Sequence, residues 1–253
     1  MPQYGTLDLD RALAAAPLVA SLDAPSWELP DVQLLQVNWE VDHDAALALT
    51  PPALHPSIPP YASFVAGHYP VSPLGPFTLA QVRLVVRAGI RPRGLVLGAV
   101  CDSPEAVDVL QRHWGFPVQH GQVSYRVRHD QVRVEAALDG RPVLELAARN
   151  PEVISGNDLM TFDNLHLVRL GDGDGEGEGA LLQVDPEYAI HQADRGRPEV
   201  VLHDLDALGM GGGLVLRSPI VAFAIRADTD LVPVRFRIDP SRPAIQGTTR
   251  VAA

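Results

Sequence analysis

The side chains that could carry chemistry in this sequence are nine histidines, one cysteine, 31 acids and 20 cations. Every one of those cations is an arginine, and no lysine is present. Arginine stays protonated in proteins and cannot supply a neutral amine. A Schiff base on a side-chain amine is therefore excluded, and only the N-terminal amine remains for such chemistry.

Other reaction classes lack their motifs as well. Cys101 is the single cysteine, so an intrachain disulfide and a multi-cysteine metal site are both excluded. The histidines form no H-x-H or H-E-x-x-H pattern, and no G-x-S-x-G motif appears. We expect no metal and no cofactor. The acidic, glycine-rich run Gly171–Gly179 is compatible with calcium, but it lacks the spacing of an EF-hand loop and favours a hairpin tip.

Composition limits the partners and the location. The formal net charge of −11 argues against a nucleic-acid ligand, because few cations are left to neutralise phosphates. No apolar window is long enough for a membrane span, and the first residues lack the positive charge of a signal peptide. We expect a cytoplasmic protein with one domain over 1–253, including an N-terminal arm (1–30) and a C-terminal tail (240–253).

The elements that must position any site are mostly short strands. One helix is predicted after the N-cap Asp42, and another begins at Ser103-Pro104-Glu105 and ends before Gly115. The proline-rich stretch 51–76 favours short strands and turns. Apolar or alternating runs predict strands over 32–41, 77–86, 95–101, 164–170, 180–184, 200–202, 220–226 and 232–238.

The clearest pattern is a set of three alternating runs over 122–128, 131–138 and 142–148. Tight turns at His129-Asp130 and Asp139-Gly140 separate them, and Asp-Gly between such runs is a strong hairpin signal. We predict an antiparallel meander here. Together the patterns predict an α+β fold dominated by antiparallel sheet, with two or three short helices.

The order of these elements, with several short motifs, resembles the acetoacetate decarboxylase family. In chain order the motifs are Asp42-His43-Asp44-Ala45-Ala46, Leu74-Gly75-Pro76-Phe77-Thr78, Asp102-Ser103-Pro104-Glu105-Ala106 and Trp114-Gly115-Phe116-Pro117. The last motif follows a helix and precedes the meander, and it is the most specific. The resemblance extends over most of the chain.

This resemblance implies a conical, barrel-like, mostly antiparallel fold around a largely apolar pocket, often in a homo-oligomer. Family decarboxylases carry two lysines after the Gly-aromatic-Pro motif, and the first forms a Schiff base with a β-keto acid. Those positions are Val118 and Gln119 here. The family's other catalytic positions, two glutamates and an arginine, fall on Leu79, Arg112 and Gln33. The resemblance therefore implies the scaffold without the imine chemistry.

Alternation along the strand after this motif selects candidates for other chemistry. If Val118 faces the pocket, His120 and Gln122 lie on its side of the strand. We predict His120 as general acid or base, because imidazole titrates near neutrality, and His113 as the second choice. Arg112 could hold a carboxylate or an enolate. A surface histidine or a solvated helix arginine is the ordinary alternative for each.

The remaining candidates would complete the predicted pocket. Glu40, near the end of the first strand, could reach the barrel mouth as a further acid. Substrate-binding positions are predicted at Val118, Gln33, Leu79, Trp114, Phe116 and Gln122. Both aromatic residues could equally serve as core.

Two classes of function remain open. The first is a lysine-independent enzyme, a cyclase, dehydratase or isomerase that acts on a small carbonyl or polyketide-like substrate by acid–base or electrostatic catalysis. Such an enzyme would suit specialised-metabolite biosynthesis, by analogy with the diversity of the family. The alternative is a non-catalytic protein that binds a small molecule in the same barrel.

Overall fold

A computed structural model of the chain describes residues 3–171, 177–204, 206–209 and 213–251. Most of the glycine-rich run predicted as a hairpin tip lies outside these residues, and so do Gly211 and Gly212 of a second, short glycine run, Gly211-Gly212-Gly213. Among the described residues, no helix combines the length and the apolar character that a membrane crossing requires.

Strands form most of the described chain, and they belong to one mixed 16-stranded sheet. The strands are β1 (Leu18–Val19), β2 (Trp27–Val41), β3 (His55–Pro56), β4 (Tyr61–Tyr69), β5 (Phe77–Ala88), β6 (Arg91–Cys101), β7 (Val118–His120), β8 (Gln122–Arg128), β9 (Gln131–Leu138), β10 (Arg141–Val153), β11 (Asn164–Leu170), β12 (Glu178–Val184), β13 (Glu187–His203), β14 (Leu216–Leu231), β15 (Phe236–Ile238) and β16 (Thr248–Arg250). The helices are α1 (Leu9–Ala15), α2 (His43–Leu49), α3 (Pro104–Trp114) and α4 (Ala244–Gly247), with a 3₁₀ turn at Gly156–Asp158.

The main path of the sheet is β16-β15-β12-β11-β6-β5-β4-β2-β14-β13-β10-β9-β8. Most neighbours are antiparallel, whereas β1 and β6 pair with β11, and β7 with β6, in parallel. The sheet curls so that β8 packs against β5 and β6 without closing the hydrogen-bonded path. The predicted α+β, mostly antiparallel, barrel-like fold is confirmed.

Local sequence signals account for the predicted helices. Asp42 caps α2 by accepting hydrogen bonds from the backbone N–H groups of Asp44 and Ala45. Ser103 caps α3, where Pro104 occupies the first turn. Gly115 ends α3 in the left-handed conformation, with φ of 65°. The predicted helix boundaries are therefore confirmed.

The three predicted meander strands are confirmed as β8, β9 and β10, although β10 continues to Val153. The strand predicted over 200–202 corresponds only to the end of β13, which has 17 residues. The prediction over 232–238 was wrong in its first half, because Val232–Arg235 are outside the strand that begins at Phe236. Pro233 cannot donate a ladder hydrogen bond, which explains the interruption.

The central strands β2, β4, β5 and β6 carry buried side chains on both faces. One face packs against the meander, with Leu35, Phe64 and Val82 in a core shared with Val134 and Leu146. The opposite face forms a second core with α3 and the N-terminal segment. Strands buried on both faces read as nearly continuous apolar runs, as β6 does.

Candidate functional site

The position where the resemblance placed the family's lysine lies at the edge of the second core. Val118 is 1% exposed, and it stands opposite Ala99, which stands opposite Gln81. The row continues through Val65 to Gln36. Because directly opposed residues share a face of a sheet, these side chains point to one side, which we call the Val118 face.

Next to this row the Val118 face carries a buried cation. Arg83, 3% exposed, opposes Ser63 in the ladder. Its Nη1 donates to the Phe162 carbonyl at 2.9 Å and to Asn164 Oδ1 at 3.0 Å. Its Nη2 donates to Ser63 Oγ at 3.1 Å and to Gln36 Oε1 at 3.4 Å. Every one of these acceptors is neutral, so the charge is hydrogen-bonded without a carboxylate.

Burial lowers the pKa of Arg83 to about 10, because the protein interior disfavours the charged form. The guanidinium nonetheless remains protonated at neutral pH. A buried positive charge without a hydrogen-bonded counterion favours a ligand that carries negative charge or develops it during a reaction.

The segment after β10 crosses the Val118 face and is held there by polar side chains. Gln36 Nε2 donates to the Met160 carbonyl at 2.7 Å, and Arg83 donates to the Phe162 carbonyl. The ring of Phe162 meets that of Tyr61 edge-on, with centroids 5.8 Å apart. Residues 160–162 therefore cover the polar part of this face.

Several buried polar atoms on the Val118 face lack a hydrogen-bond partner among the described residues. They are Asn38 Nδ2, Gln81 Oε1, Arg83 Nε and His166 Nε2. Two are donors and one is an acceptor, and His166 Nε2 depends on the tautomer. Buried polar atoms are nearly always paired, so a cluster of unpaired ones indicates a place where a ligand or water binds.

The tautomer of His166 follows from its contact. His166 Nδ1 lies 2.6 Å from the Trp114 carbonyl, which can only accept, so Nδ1 carries the proton and donates. The other ring nitrogen, Nε2, then carries a lone pair. Burial lowers the pKa of His166 to about 4, so the ring is neutral at pH 7.

Two tyrosines complete this region. Desolvation raises the pKa of Tyr69 and of Tyr188, and the charge of Arg83 partly offsets this rise in both. Tyr188 nevertheless keeps 37% of its surface accessible. Both hydroxyls are protonated at neutral pH and can donate hydrogen bonds.

Some residues predicted from the sequence lie in this region. Leu79 is buried on the Val118 face, two residues from Gln81 on β5. Glu40 is half-buried at the end of β2, opposite Tyr61 and on the same face as Gln36 by alternation. Their predicted roles in catalysis and substrate binding stay predictions.

The two predicted aromatic positions are fully packed. Trp114 Nε1 donates to the Val232 carbonyl at 2.9 Å, and the ring meets Trp27 edge-on at 5.1 Å. Phe116 is 4% exposed, and its ring centroid lies 4.1 Å from that of His166. Phe116 therefore touches the interior polar region, whereas Trp114 contributes packing and one hydrogen bond.

His120 and Gln122 lie apart from the interior cluster. His120 opposes Cys101 and shares the side of Val118, but it ends β7 and is exposed. Gly121 separates β7 from β8, so alternation does not carry over to the exposed Gln122. Both residues line a surface groove of about 440 Å³ with Asp102 and Asp139.

The remaining predicted residues lie elsewhere. Arg112 is on the exposed side of α3, where its Nη2 lies 2.5 Å from Asp108 Oδ1. His113 is half-buried in the last turn of α3. Gln33 opposes His68 on the other face of the sheet, which we call the Gln33 face. The structure therefore does not bring the predicted polar residues together at one point.

The sequence analysis did not identify Gln36, Gln81, Arg83, His166 or the two tyrosines. A usable signal was present in β5, where Gln81 and Arg83 interrupt an otherwise apolar strand at alternate positions. Polar residues in a strand buried on both faces require interior partners. Among the described residues, no group of three histidine, cysteine or acidic side chains is placed to hold a metal ion.

Comparison with known proteins bears on the family and the fold of the chain. The family model for acetoacetate decarboxylase matches residues 15–177. No curated protein matches the sequence. Among solved structures, the acetoacetate decarboxylase of Legionella pneumophila superposes with a TM-score of 0.73 at 15% identity, over 83% of this chain and 86% of that one.

Two further solved structures show the same fold. The enduracididine biosynthesis enzyme MppR complexed with pyruvate has a TM-score of 0.65 at 18% identity, over 84% of this chain and 90% of its own. An acetoacetate decarboxylase-like enzyme from Sphingomonas wittichii RW1 has a TM-score of 0.58 at 15% identity, over 82% of this chain and 92% of its own. The family model covers more than half of the chain, and the chain therefore belongs to the acetoacetate decarboxylase family.

Proposed function

We propose that this protein is a lysine-independent enzyme that binds a small carbonyl compound on the Val118 face and acts on it by acid–base and electrostatic catalysis. The observation that carries the proposal is the buried Arg83, surrounded by neutral acceptors and unpaired polar atoms, on the face where Val118 replaces the family's lysine. The chain has no lysine that could form an imine elsewhere.

The chemistry follows from the charge and the donors. Removing a proton next to a carbonyl produces an enolate, whose negative oxygen needs donors or a positive charge nearby. Arg83 supplies the charge, and the protonated hydroxyls of Tyr69 and Tyr188 supply donors. The lone pair on His166 Nε2 accepts the proton. Cyclisation, dehydration or isomerisation can each follow from an enolate.

A specific observation favours the alternative of a non-catalytic binder. General acid–base catalysis works best when the pKa of the group lies near the working pH. Burial lowers the pKa of His166 to about 4 and raises that of Tyr69 and Cys101 well above neutrality. A ligand with negative charge beside His166 would raise the pKa of His166 toward neutrality. If no such ligand exists, the non-catalytic binder is the remaining alternative.

Pyruvate in D₂O tests the proposal, because one structure of the fold is a complex with it. We expect the protein to accelerate the exchange of the pyruvate methyl protons for deuterium. Proton NMR measures this exchange as a loss of the methyl signal. Borohydride added to the mixture should leave the protein mass unchanged, since no imine forms. A mass increase that matches reduced pyruvate would contradict lysine-independent action, and saturable binding without exchange would favour the binder.

Variants separate the interior cluster from the surface groove that contains His120. Arg83→Met should slow exchange by about 10²-fold, as removal of oxyanion stabilisation does. Arg126→Met, on the exposed face of β8, is the matched control and should exchange at the wild-type rate. His120→Ala tests the sequence-based candidate, and an unchanged rate would remove His120 from the mechanism. Melting temperatures check that each variant is folded.

A homo-oligomer is part of the proposal, on the basis of the family alone. Light scattering coupled to size exclusion gives the mass of the assembly. A single species at 27.2 kDa would show that the chain acts as a monomer.

A further inference from the structure

The Gln33 face contains a cleft that the proposed function does not use. This cleft has a volume of about 470 Å³ and lies between the meander strands β8 and β9 and the strands β2, β14 and β13. Gln33 and Arg226 form part of one wall, and Tyr125 and Val127 of the meander form the other. Small-molecule sites commonly have volumes of 300–1,000 Å³.

A row of polar side chains runs across the sheet at this cleft. Gln33 opposes Arg226 on one side and His68 on the other, and His68 opposes Thr78. His68 Nδ1 lies 3.2 Å from Thr78 Oγ1, and this contact fixes the orientation of the ring. The Thr78 backbone N–H donates to Asp102 Oδ1 at 2.6 Å. Such a chain of contacts holds the imidazole in one place.

The opposite wall presents an aromatic ring. Tyr125 stacks on His68 with ring centroids 6.4 Å apart and planes inclined by 27°. Desolvation raises the pKa of Tyr125, although the ring is only half-buried. The hydroxyl has no hydrogen-bond partner among the described residues and is available to a ligand.

The cleft combines an apolar surface with a cation at its mouth. Val127, Val132 and Ala224 supply the apolar surface. Arg128 ends β8 at the corner of the cleft, and it forms no ion pair with any of the described residues. The carboxylate of Asp194, also at the cleft, already accepts from Gln192 Nε2 at 2.7 Å.

We propose that this cleft is a second ligand site, distinct from the Val118 face, for a small aromatic carboxylate. The aromatic body packs against Tyr125, Val127 and Val132. The carboxylate is held by Arg128 together with the Tyr125 hydroxyl and the Gln33 amide. A planar ring suits a cleft walled by aromatic and branched side chains, and a carboxylate matches the fork of donors on arginine.

Benzoate is the probe, with benzyl alcohol as its uncharged analogue. Titration of the full-length wild-type protein, followed by calorimetry and ligand-observed NMR, should show saturable binding at millimolar or lower concentration. Benzyl alcohol should bind at least tenfold more weakly. Absence of saturable benzoate binding, or equal binding of the alcohol, would overturn the proposal.

Two conservative variants locate the site. Tyr125→Phe removes only the hydroxyl, and Arg128→Gln removes an exposed charge, so both should fold. Each should weaken benzoate binding by about three- to tenfold, whereas Gln81→Met, on the Val118 face, should leave it unchanged. If benzoate binds both cleft variants as tightly as it binds the wild type, the proposed site is wrong. If Gln81→Met weakens benzoate binding, benzoate binds elsewhere and the proposed site is also wrong. Pyruvate exchange is measured separately, so failure of either proposal is distinguishable.

Discussion

Arg83 shows how a buried cation is held by hydrogen bonds to neutral acceptors alone. Two opposing effects determine the result of Arg83→Met. Four acceptors lose their donor, each at roughly 1 kcal/mol, while the cost of keeping a charge away from water disappears. We expect the loss of hydrogen bonds to dominate, with a net destabilisation of about 2–4 kcal/mol in urea unfolding. An increase in stability would mean that the desolvation cost of the charge outweighs its hydrogen bonds.

His166 makes a separate prediction about pH. Its pKa is about 4 in the folded chain, against about 6.5 when unfolded, so the unfolded chain binds a proton more readily over that window. The contribution of His166 to the free energy of unfolding is fully present above pH 6.5 and is lost as the pH falls toward 4. Between pH 7 and pH 5 the free energy of unfolding should decrease by about 2 kcal/mol from this group.

The variant His166→Gln isolates that contribution. It should lower stability at pH 7 but flatten the dependence between pH 7 and 5. His129→Gln, at an exposed turn, is the control and should retain the wild-type slope. An unchanged slope in His166→Gln would assign the acid sensitivity to other groups.

At the level of elements, the end of α3 is a tightly constrained position. A Cβ on Gly115 would lie 2.2 Å from Val168 Cγ1, and φ is +65°. Gly115→Ala therefore combines backbone strain with overpacking, and we expect a loss of about 2–4 kcal/mol. Gly140→Ala is the matched control, because φ is +75° but nothing lies within 4 Å of the added Cβ. It should cost only about 1 kcal/mol, which thermal melting followed by circular dichroism can distinguish.

The elements divide into those that local sequence determines and those that it does not. The meander and α3 follow from Asp139-Gly140 and from the Ser103-Pro104 start, because these signals act over a few residues. The full lengths of β13 and β14 could not be predicted, since they pair with partners that are remote in sequence and include polar residues.

The candidate site on the Val118 face was even less predictable from local sequence than the strands. Val118 and Leu79 could be located from the resemblance, whereas Arg83 and His166 share one face only through the pairing of β5, β6 and β11. A periodic pattern gives the face of a strand but not the identity of its neighbours.

At the level of the whole molecule, the region matched by the family model does not contain a complete sheet. The match ends at residue 177, but β2 pairs along most of its length with β14. We expect a fragment of residues 1–177 to lack cooperative unfolding, because the edge of β2 and both cores would be exposed. Proteolysis and thermal melting, compared with the full chain, check this. A protease-resistant fragment with a sharp transition would show that β13 and β14 are dispensable.

The two-sided burial of β2 has a consequence for how this family can diverge. Gln36 lies on the Val118 face of β2, whereas Gln33 lies on the Gln33 face. Nearby positions of one strand are therefore under separate selection. Point substitutions can alter either face independently. A one-residue insertion or deletion between them would exchange the contents of both at once, and length variation in this strand should therefore be rarer among descendants than change of residue type.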